Sequence, residues 1–178
     1  MTAINPRKLQ IVRFPDPILK RPAKPVEEFG AALAAFAKRM FELMQEAKGV
    51  GLAGPQVGQS VRIFVCNPTG EASDAMVCVN PTLTDLSGAE VHEEGCLSIP
   101  EVSVQMRRAT RVMLQAFDVE GRAFEREGID LVARIWQHET DHLDGKLITD
   151  HMSTADEIAN RRALKKLRDA HRKRKPAR

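Results

Sequence analysis

A chain of 178 residues that is 43% hydrophobic and 29% charged has the size and composition of one globular domain. It has no apolar run long enough to cross a bilayer, and residues 1–8 lack the apolar stretch of a secretory signal. Three irregularly spaced cysteines make a poor disulfide framework and predict a reducing, cytoplasmic setting. The formal net charge is +3, with Lys and Arg concentrated in residues 161–178.

The N-terminal part of the chain predicts an extended segment followed by a helix. Five prolines punctuate the first 25 residues, which favours extended chain lying over the body of the domain. A helix is predicted over residues 26–47, because apolar residues recur there at steps of three and four. These residues are Phe29, Leu33, Phe36, Met40, Leu43 and Ala47. Gly49 and Gly51 are expected to end it.

The rest of the chain predicts strands and then two helices. Short β-like runs occur at 61–65, 76–80, 89–93, 111–118 and 122–126, and Gly and Pro separate several of them, as in antiparallel strands. Residues 118–121 predict a hairpin turn. A second helix is predicted over 130–141, and a third from Ser153 or Thr154, where Thr154 and Glu157 have the form of a capping box. This order predicts an α+β fold in one catalytic domain, residues 1–178, which ends in a basic helix and tail from about 161 to 178.

The second predicted helix carries an H-E-x-x-H motif. His138 and His142 are four residues apart, so they lie on one helix face and can bind one metal ion. Glu139 lies beside that pair, where it can accept a proton from water without being a ligand. The competing interpretation is an accidental spacing on a surface helix, which arises on the order of once in several hundred chains of this length. The motif favours a metal-dependent hydrolase built around this helix.

A catalytic metal site needs a third protein ligand. Gly145 fits the extended metalloprotease motif, but Ile148 occupies its last position and cannot ligate a metal. The other candidates downstream and upstream of the helix are His151, Glu157, His92, Glu93, Glu94 and Cys96.

Cys96 is the third ligand that we favour. It follows a predicted strand, and Gly95 before it permits an unusual backbone conformation. A thiolate with two neutral imidazoles leaves a divalent site with a net charge of about +1, enough to lower the pKa of a bound water. A lone cysteine is more often a small buried hydrophobic residue, which is our interpretation of Cys66 and Cys78.

Residues 49–58, GVGLAGPQVG, form a glycine-rich loop. The loop lacks the Lys-Ser/Thr of a phosphate loop and the spacing of a dinucleotide fingerprint. Its glycines would let a substrate backbone approach, and Gln56 could offer an amide N–H to a developing oxyanion. A tight turn between helix and strand, with Gln56 solvated, explains the loop taken alone at least as well.

Three segments together resemble the peptide deformylase family. The segments GVGLAGPQ (49–56), EGCLS (94–98) and QHETDH (137–142) match its G-x-G-L-A-A-x-Q, E-G-C-L-S and Q-H-E-x-D-H patterns, in the same order. The DPIL stretch at 16–19 extends the resemblance over most of the chain. The resemblance implies a hydrolase that removes the formyl group from the N-terminal formylmethionine of newly synthesised polypeptides and releases formate.

The resemblance also implies the roles of individual residues. Glu139 is the general acid/base, and Gln56 and the backbone N–H of Leu97 stabilise the oxyanion. The implied metal ligands are Cys96, His138 and His142. The implied substrate-binding residues are Val50, Gly51, His92, Leu131, Arg134 and Ile135, with Gly51 bonding the substrate backbone. Fe²⁺ is the implied metal, and Zn²⁺, Ni²⁺ or Co²⁺ can take its place.

The chain departs from the family pattern at three positions. Gly54 replaces the second alanine of the first segment, and we expect it to loosen that loop. Arg134 and His92 fall where the family often has apolar residues. An arginine can lay its stem along a pocket wall with its head in water, so a pocket for methionine remains compatible with Arg134.

The basic C-terminal helix has two interpretations. Its apolar stripe is predicted to comprise Ile158, Ala163, Leu167 and Ala170. A solvated basic helix is the simpler interpretation, and binding to a phosphate backbone is the functional one. The resemblance adds a partner, since a C-terminal helix in some members docks on the ribosome near the nascent chain.

Two other classes of function stay open at the level of sequence. One is a zinc peptidase in which Glu157 or His151 is the third ligand. The other is a ribosome- or RNA-binding module whose histidines are structural. Metal retention after loss of Cys96 would favour the first, and the absence of a stoichiometric metal would favour the second.

Overall fold

The computed structural model describes residues 6–174 and has the predicted α+β fold. The elements, in chain order, are α1 (Ala31–Glu46), β1 (Gly51–Ala53), β2 (Ile63–Cys66), β3 (Met76–Ser87), β4 (Glu90–Cys96), β5 (Ile99–Arg108), β6 (Arg111–Phe117), β7 (Ala123–Ile129), α2 (Asp130–Leu143) and α3 (Thr154–Arg174). The predicted domain also includes residues 1–5 and 175–178, which lie outside the described residues. No helix in the described part of the chain is long and apolar enough to cross a membrane.

The strands form two antiparallel sheets. Five strands pair in the order β1-β2-β3-β6-β7, and β4 and β5 form a separate hairpin. The five predicted strands are all present, and β1 and β5 are two further strands that were not predicted. In β5 the buried Val102, Val104 and Met106 alternate with polar residues, a pattern that could have revealed it. Strand β1 has only three residues, all buried, which is too short to show a period.

Helix α1 begins later than predicted. Residues 26–30 are not helical, and Gly30 precedes the helix with a φ of 105°. The Val26 N–H donates to Asn80 Oδ1 at 2.8 Å, and Asn80 Nδ2 donates to the Val26 carbonyl at 2.9 Å. Both backbone groups of Val26 are therefore used in a contact with β3. The helix ends at Glu46, before Gly49, and Lys48 then adopts a φ of 56°.

Helix α2 lies at the centre of the fold. It packs against strands of the five-stranded sheet, and Trp136 is only 1% exposed. A Cβ at Gly128 of β7 would lie 2.4 Å from the Trp136 ring, so glycine permits this close approach. Gln137 bonds both the N–H and the carbonyl of Ala109, which fixes the helix to the β5–β6 connection. These contacts hold the H-E-x-x-H segment between the sheets.

Helix α3 packs on β5 by only part of the predicted stripe, because Ala163 and Leu167 contact the apolar cluster whereas Ala170 is exposed. Ile158 is 72% exposed, whereas Leu164 is buried and Leu167 packs on the same apolar cluster. Asn160 Nδ2 donates to the Ser103 carbonyl at 2.8 Å, so the helix contacts β5 through a polar side chain as well as through apolar ones. The capping box is also shifted by one residue, because it joins Ser153 to Asp156 instead of Thr154 to Glu157.

Candidate metal centre and active site

Three donor side chains converge where α2 meets the end of β4. Cys96 Sγ and the ring nitrogens of His138 and His142 all lie within 4.8 Å of one another. The Cys96 Sγ to His142 Nε2 distance is 3.2 Å, and the two imidazole centroids are 5.0 Å apart. A thiolate and two imidazoles suit a divalent transition metal, with a fourth position left for water or substrate.

The other proposed third ligands do not join this group. His151 and Glu157 are exposed, the latter on α3, and neither belongs to the cluster that the described residues form. Glu94 bonds His138 from the other side of the ring, with Oε2 at 3.0 Å from Nδ1. The His138 Nδ1–H can therefore donate to a carboxylate, which leaves Nε2 free to bind a metal.

A buried ion network supports His138. Arg108 Nε and Nη2 donate to the two oxygens of Glu94 at 2.9 Å each, and Arg108 Nη1 donates to Asp141 at 2.6 Å. Burial alone would raise the pKa of Glu94, but the hydrogen bonds from His138 and Arg108 lower it to about 2. Glu94 is therefore a carboxylate that orients the imidazole. Glu94 was considered only as a ligand, and Asp141 entered only as part of the Q-H-E-x-D-H pattern, without a role. Arg108 was not predicted, because no local pattern marks it.

Breaking this network should be costly. We expect Arg108→Met to lower the free energy of unfolding by about 3–5 kcal/mol, because the buried Glu94 carboxylate loses both bonds from its guanidinium partner and keeps only the contact with His138. Denaturant unfolding of the metal-free protein measures this change. Arg111→Met is the matched control, since the Arg111–Glu127 pair is exposed and should contribute about 1 kcal/mol or less. Equal losses in the two variants would contradict the assignment.

His142 is almost fully buried. It is 1% exposed, and burial, with the charges of His138 and Arg108, holds its pKa well below the usual range. The imidazole is therefore neutral, as a metal ligand must be.

Glu139 is buried beside the three donors. Its side chain is 3% exposed, and loss of hydration raises its pKa to about 7. A Cβ at Gly51 would lie 2.3 Å from Glu139 Oε1, so the glycine of β1 makes room for the carboxylate. Glu139 Oε2 has no hydrogen-bond partner among the described residues. Such a carboxyl group can exchange protons with a molecule bound in the site.

The side chain of Gln56 is held rigidly and is not solvated. It is 1% exposed, and its Oε1 accepts the Ala53 N–H at 2.8 Å. Because a backbone N–H needs an acceptor, this bond identifies the oxygen and turns Nε2 towards Cys96 Sγ, 3.5 Å away. Nε2 can thus donate to a group bound beside the three donors.

The loop that carries Gln56 is tighter than expected. A Cβ at Gly54 would lie 2.5 Å from the Val61 carbonyl oxygen, so an alanine would push the backbone apart. Gly54 therefore lets Val61 approach, and the expectation of a looser loop was wrong.

A cavity of about 610 Å³ opens onto the site. It is lined by five of the six predicted substrate-binding residues, namely Val50, Gly51, Leu131, Arg134 and Ile135, and also by Gln56, Cys96, Leu97, His138 and Glu139. His92 does not line it. Its ring is exposed on β4, with Nε2 2.9 Å from Glu90 Oε2, and it precedes residues 93–96, the part of the strand that lines the cavity. The structure thus gives His92 no place in the pocket.

The remaining two cysteines lie apart from this site, in the sheet. Cys66 on β2 and Cys78 on β3 are 1% and 0% exposed, and neither forms a disulfide. They are small buried hydrophobic residues, as the sequence indicated.

Known proteins resemble the chain over nearly its whole length. The sequence model of the family described as Polypeptide deformylase matches residues 8–157. A peptide deformylase from Acidobacterium capsulatum is 40% identical over 162 residues, which cover 90% of this chain and 95% of the relative. One from Hahella chejuensis is 43% identical over 160 residues, covering 89% and 95%.

Solved structures of peptide deformylases also share the fold. The structure from Plasmodium falciparum superposes with a TM-score of 0.90 at 32% identity, covering 94% of this chain and all of that one. The structure from Legionella pneumophila gives 0.85 at 40% identity, covering 94% and 98%. Sequence and architecture agree, and the chain belongs to the peptide deformylase family, whose members are metal-dependent hydrolases that remove the formyl group from nascent polypeptides.

Proposed function

We propose that this protein hydrolyses the formyl group of N-terminal formylmethionine on nascent chains and releases formate. The observation that carries the proposal is that Cys96, His138 and His142 converge, while Glu139 and Gln56 line the same cavity as Cys96 and His138. The peptidase alternative lacks such support, because Glu157 and His151 stand apart from the histidine pair. A binding module with structural histidines would not need an acid/base carboxyl group buried beside them.

The metal would be held by Cys96, His138 and His142. A divalent ion there supplies a Lewis acid for the formyl oxygen and lowers the pKa of water. We take Fe²⁺ as the physiological ion, with Zn²⁺, Ni²⁺ or Co²⁺ able to replace it, since the donor set accepts each of them. The free state of the three cysteines agrees with a reducing cytoplasm, where we place the protein.

The protein's own groups handle the proton and the developing charge. Glu139 takes a proton from the attacking water and delivers it to the amine nitrogen as the formyl C–N bond breaks. The Gln56 Nε2–H and the Leu97 backbone N–H donate to the oxyanion of the tetrahedral state. The bond from Ala53 to Gln56 Oε1 keeps the amide oriented before the substrate arrives.

The substrate would be held on two sides. The Gly51 backbone, at the edge of the cavity, bonds the peptide chain next to the formyl group. The methionine side chain packs against Val50, Leu131 and Ile135, along the stem of Arg134. Val50 and Leu131 are 43% and 42% exposed, so a bound apolar side chain would cover surface that is otherwise wet.

The decisive experiment is formate release by anaerobically prepared, metal-assayed protein. We expect formate from a formyl-Met peptide and no acetate from the matched acetyl-Met peptide. Cleavage of an internal peptide bond instead would support the peptidase, and a protein with neither metal nor turnover would support the binding module. If protein purified in air is as active as anaerobic iron-loaded protein, the assignment of Fe²⁺ is wrong.

We also propose that α3 contacts ribosomal RNA. Arg161, Arg162 and Lys165 are exposed and form no ion pair within the described residues. Elsewhere on the helix Lys166 pairs with Glu101, and Arg172 lies 3.7 Å from Asp169. The unpaired cations favour a polyanion, whose phosphates would bind in a salt-dependent manner.

Neutralising those cations should weaken ribosome binding. We expect the triple variant R161Q/R162Q/K165Q to co-sediment less with ribosomes at low salt. Each phosphate contact that is lost reduces the number of counterions released on binding, and this lowers the affinity. The substitutions spare Leu164, so the helix stays packed. The matched control is K8Q/K24Q/K38Q, which removes exposed cations outside α3. Unchanged co-sedimentation of the α3 variant would count against the proposal.

A further inference from the structure

Residues 9–14, here the N-terminal arm, run between the two segments that carry the proposed oxyanion donors, Gln56 and Leu97. The Val12 N–H donates to the Gln56 carbonyl at 2.8 Å, and the Phe14 N–H donates to the Ser98 carbonyl at 2.9 Å. Val12 and Phe14 also pack on the apolar cluster around Ile99. The arm therefore ties the loop after β1 to the turn after β4.

Arg13 differs from its neighbours on the arm. Its side chain lines the cavity, and its guanidinium donates to the Leu97 carbonyl. Within the described part of the chain it forms no ion pair, so the carbonyl is its hydrogen-bonding partner there. The arm thus binds the carbonyls of both Leu97 and Ser98.

The Leu97–Ser98 turn needs this support. The two residues form the whole connection between β4 and β5, in which Cys96 pairs with Ile99. Two-residue hairpins favour turns with positive φ at one or both central residues, and neither Leu97 nor Ser98 adopts one. The pairing register also shifts between Gly95 and Cys96, so regular strand pairing does not by itself fix this turn, and the bonds from the arm help to hold it.

The position of the turn sets the direction of the Leu97 N–H. The Leu97 side chain is already confined, since a Cβ at Gly49 would lie 2.5 Å from its Cδ1. With the side chain held by Gly49 and the carbonyl held by Arg13, the peptide on either side of Leu97 has little freedom. A small misorientation of a donor in an active site costs a large factor in rate.

We propose that Arg13 is a positioning residue of this active site, holding the Leu97–Ser98 turn so that the Leu97 N–H meets the oxyanion. The inference rests on the proposed function, because it gives Arg13 a part in the same reaction. It makes the N-terminal arm part of the catalytic apparatus, although the arm supplies no metal ligand and no proton-transfer group.

The test is Arg13→Met, which keeps an apolar stem and removes the donors. We expect kcat on a formyl-Met peptide to fall about tenfold, with KM within about twofold and with metal content and thermal midpoint unchanged. Arg13→Lys should recover part of the loss, since an ammonium can still donate to the carbonyl. Arg21→Ala is the control, because Arg21 is exposed on the same N-terminal segment and lies outside the cavity.

Three results would overturn the proposal: a wild-type kcat in Arg13→Met, a loss confined to KM, or an equal loss in Arg21→Ala. The ¹H–¹⁵N resonance of the Leu97 amide gives a reading that is independent of activity. It should shift in Arg13→Met and not in Arg21→Ala. If Arg13→Met does not fold, Arg13→Gln is measured in the same way. Should the wild-type protein release no formate, the proposed function fails, while an unmoved Leu97 resonance would specifically refute the role of Arg13.

Discussion

Glu139→Gln should retain its metal and lose most of its turnover. The substitution keeps the size of the side chain and its fit against Gly51. That fit is close, because a Cβ added to Gly51 would lie only 2.3 Å from Glu139 Oε1. It removes only the ability to exchange a proton, and such groups contribute about 10²–10⁴-fold to rate. Formate release at saturating formyl-Met peptide, together with metal analysis of the same sample, measures both properties.

The control for this variant is Glu157→Gln. Glu157 is exposed on α3 and does not belong to the three-donor cluster, so metal content and turnover should stay at wild-type levels. Loss of metal from Glu157→Gln would instead revive the zinc peptidase. Near-normal turnover by Glu139→Gln would remove Glu139 from the mechanism.

Cys96→Ala should abolish stoichiometric metal binding. It leaves only two imidazoles, and the net charge of the occupied site rises because the thiolate is lost. Since loss of a supporting group behind a ligand already costs about 10–100-fold in affinity, loss of the ligand itself should cost more. Competition with a chromophoric chelator measures the affinity, and formate release should fall in parallel with occupancy.

Cys66→Ala is the matched control for the cysteine variant. Cys66 is equally free of a disulfide, but it is buried in β2 away from the three-donor cluster. We expect it to keep one metal per chain, even if packing in the sheet is slightly weakened. A Cys96→Ala protein that binds metal as tightly as Cys66→Ala would exclude the thiolate as a ligand.

Local patterns in the sequence were enough to predict the fold class and the central helix. The spacing of His138 and His142 and the short β-like runs are patterns of residues that are near one another in the chain. The three ordered segments identified the family for the same reason, since each is a short contiguous stretch. Chemistry that lies within one segment can therefore be recognised from the amino-acid sequence alone.

The tertiary structure decided which distant residues meet. Arg108 reaches Glu94 and Asp141 across 14 and 33 residues, and Arg13 reaches Leu97 across 84. No periodicity links such positions, because the contacts arise only when strands and helices pack. A contact between distant residues also explains the late start of α1 at Ala31, because the bond from the Val26 N–H to Asn80 competes with helix formation before that residue. The sequence by itself determined the H-E-x-x-H helix and the family, whereas packing alone decided what holds that helix and its partners in place.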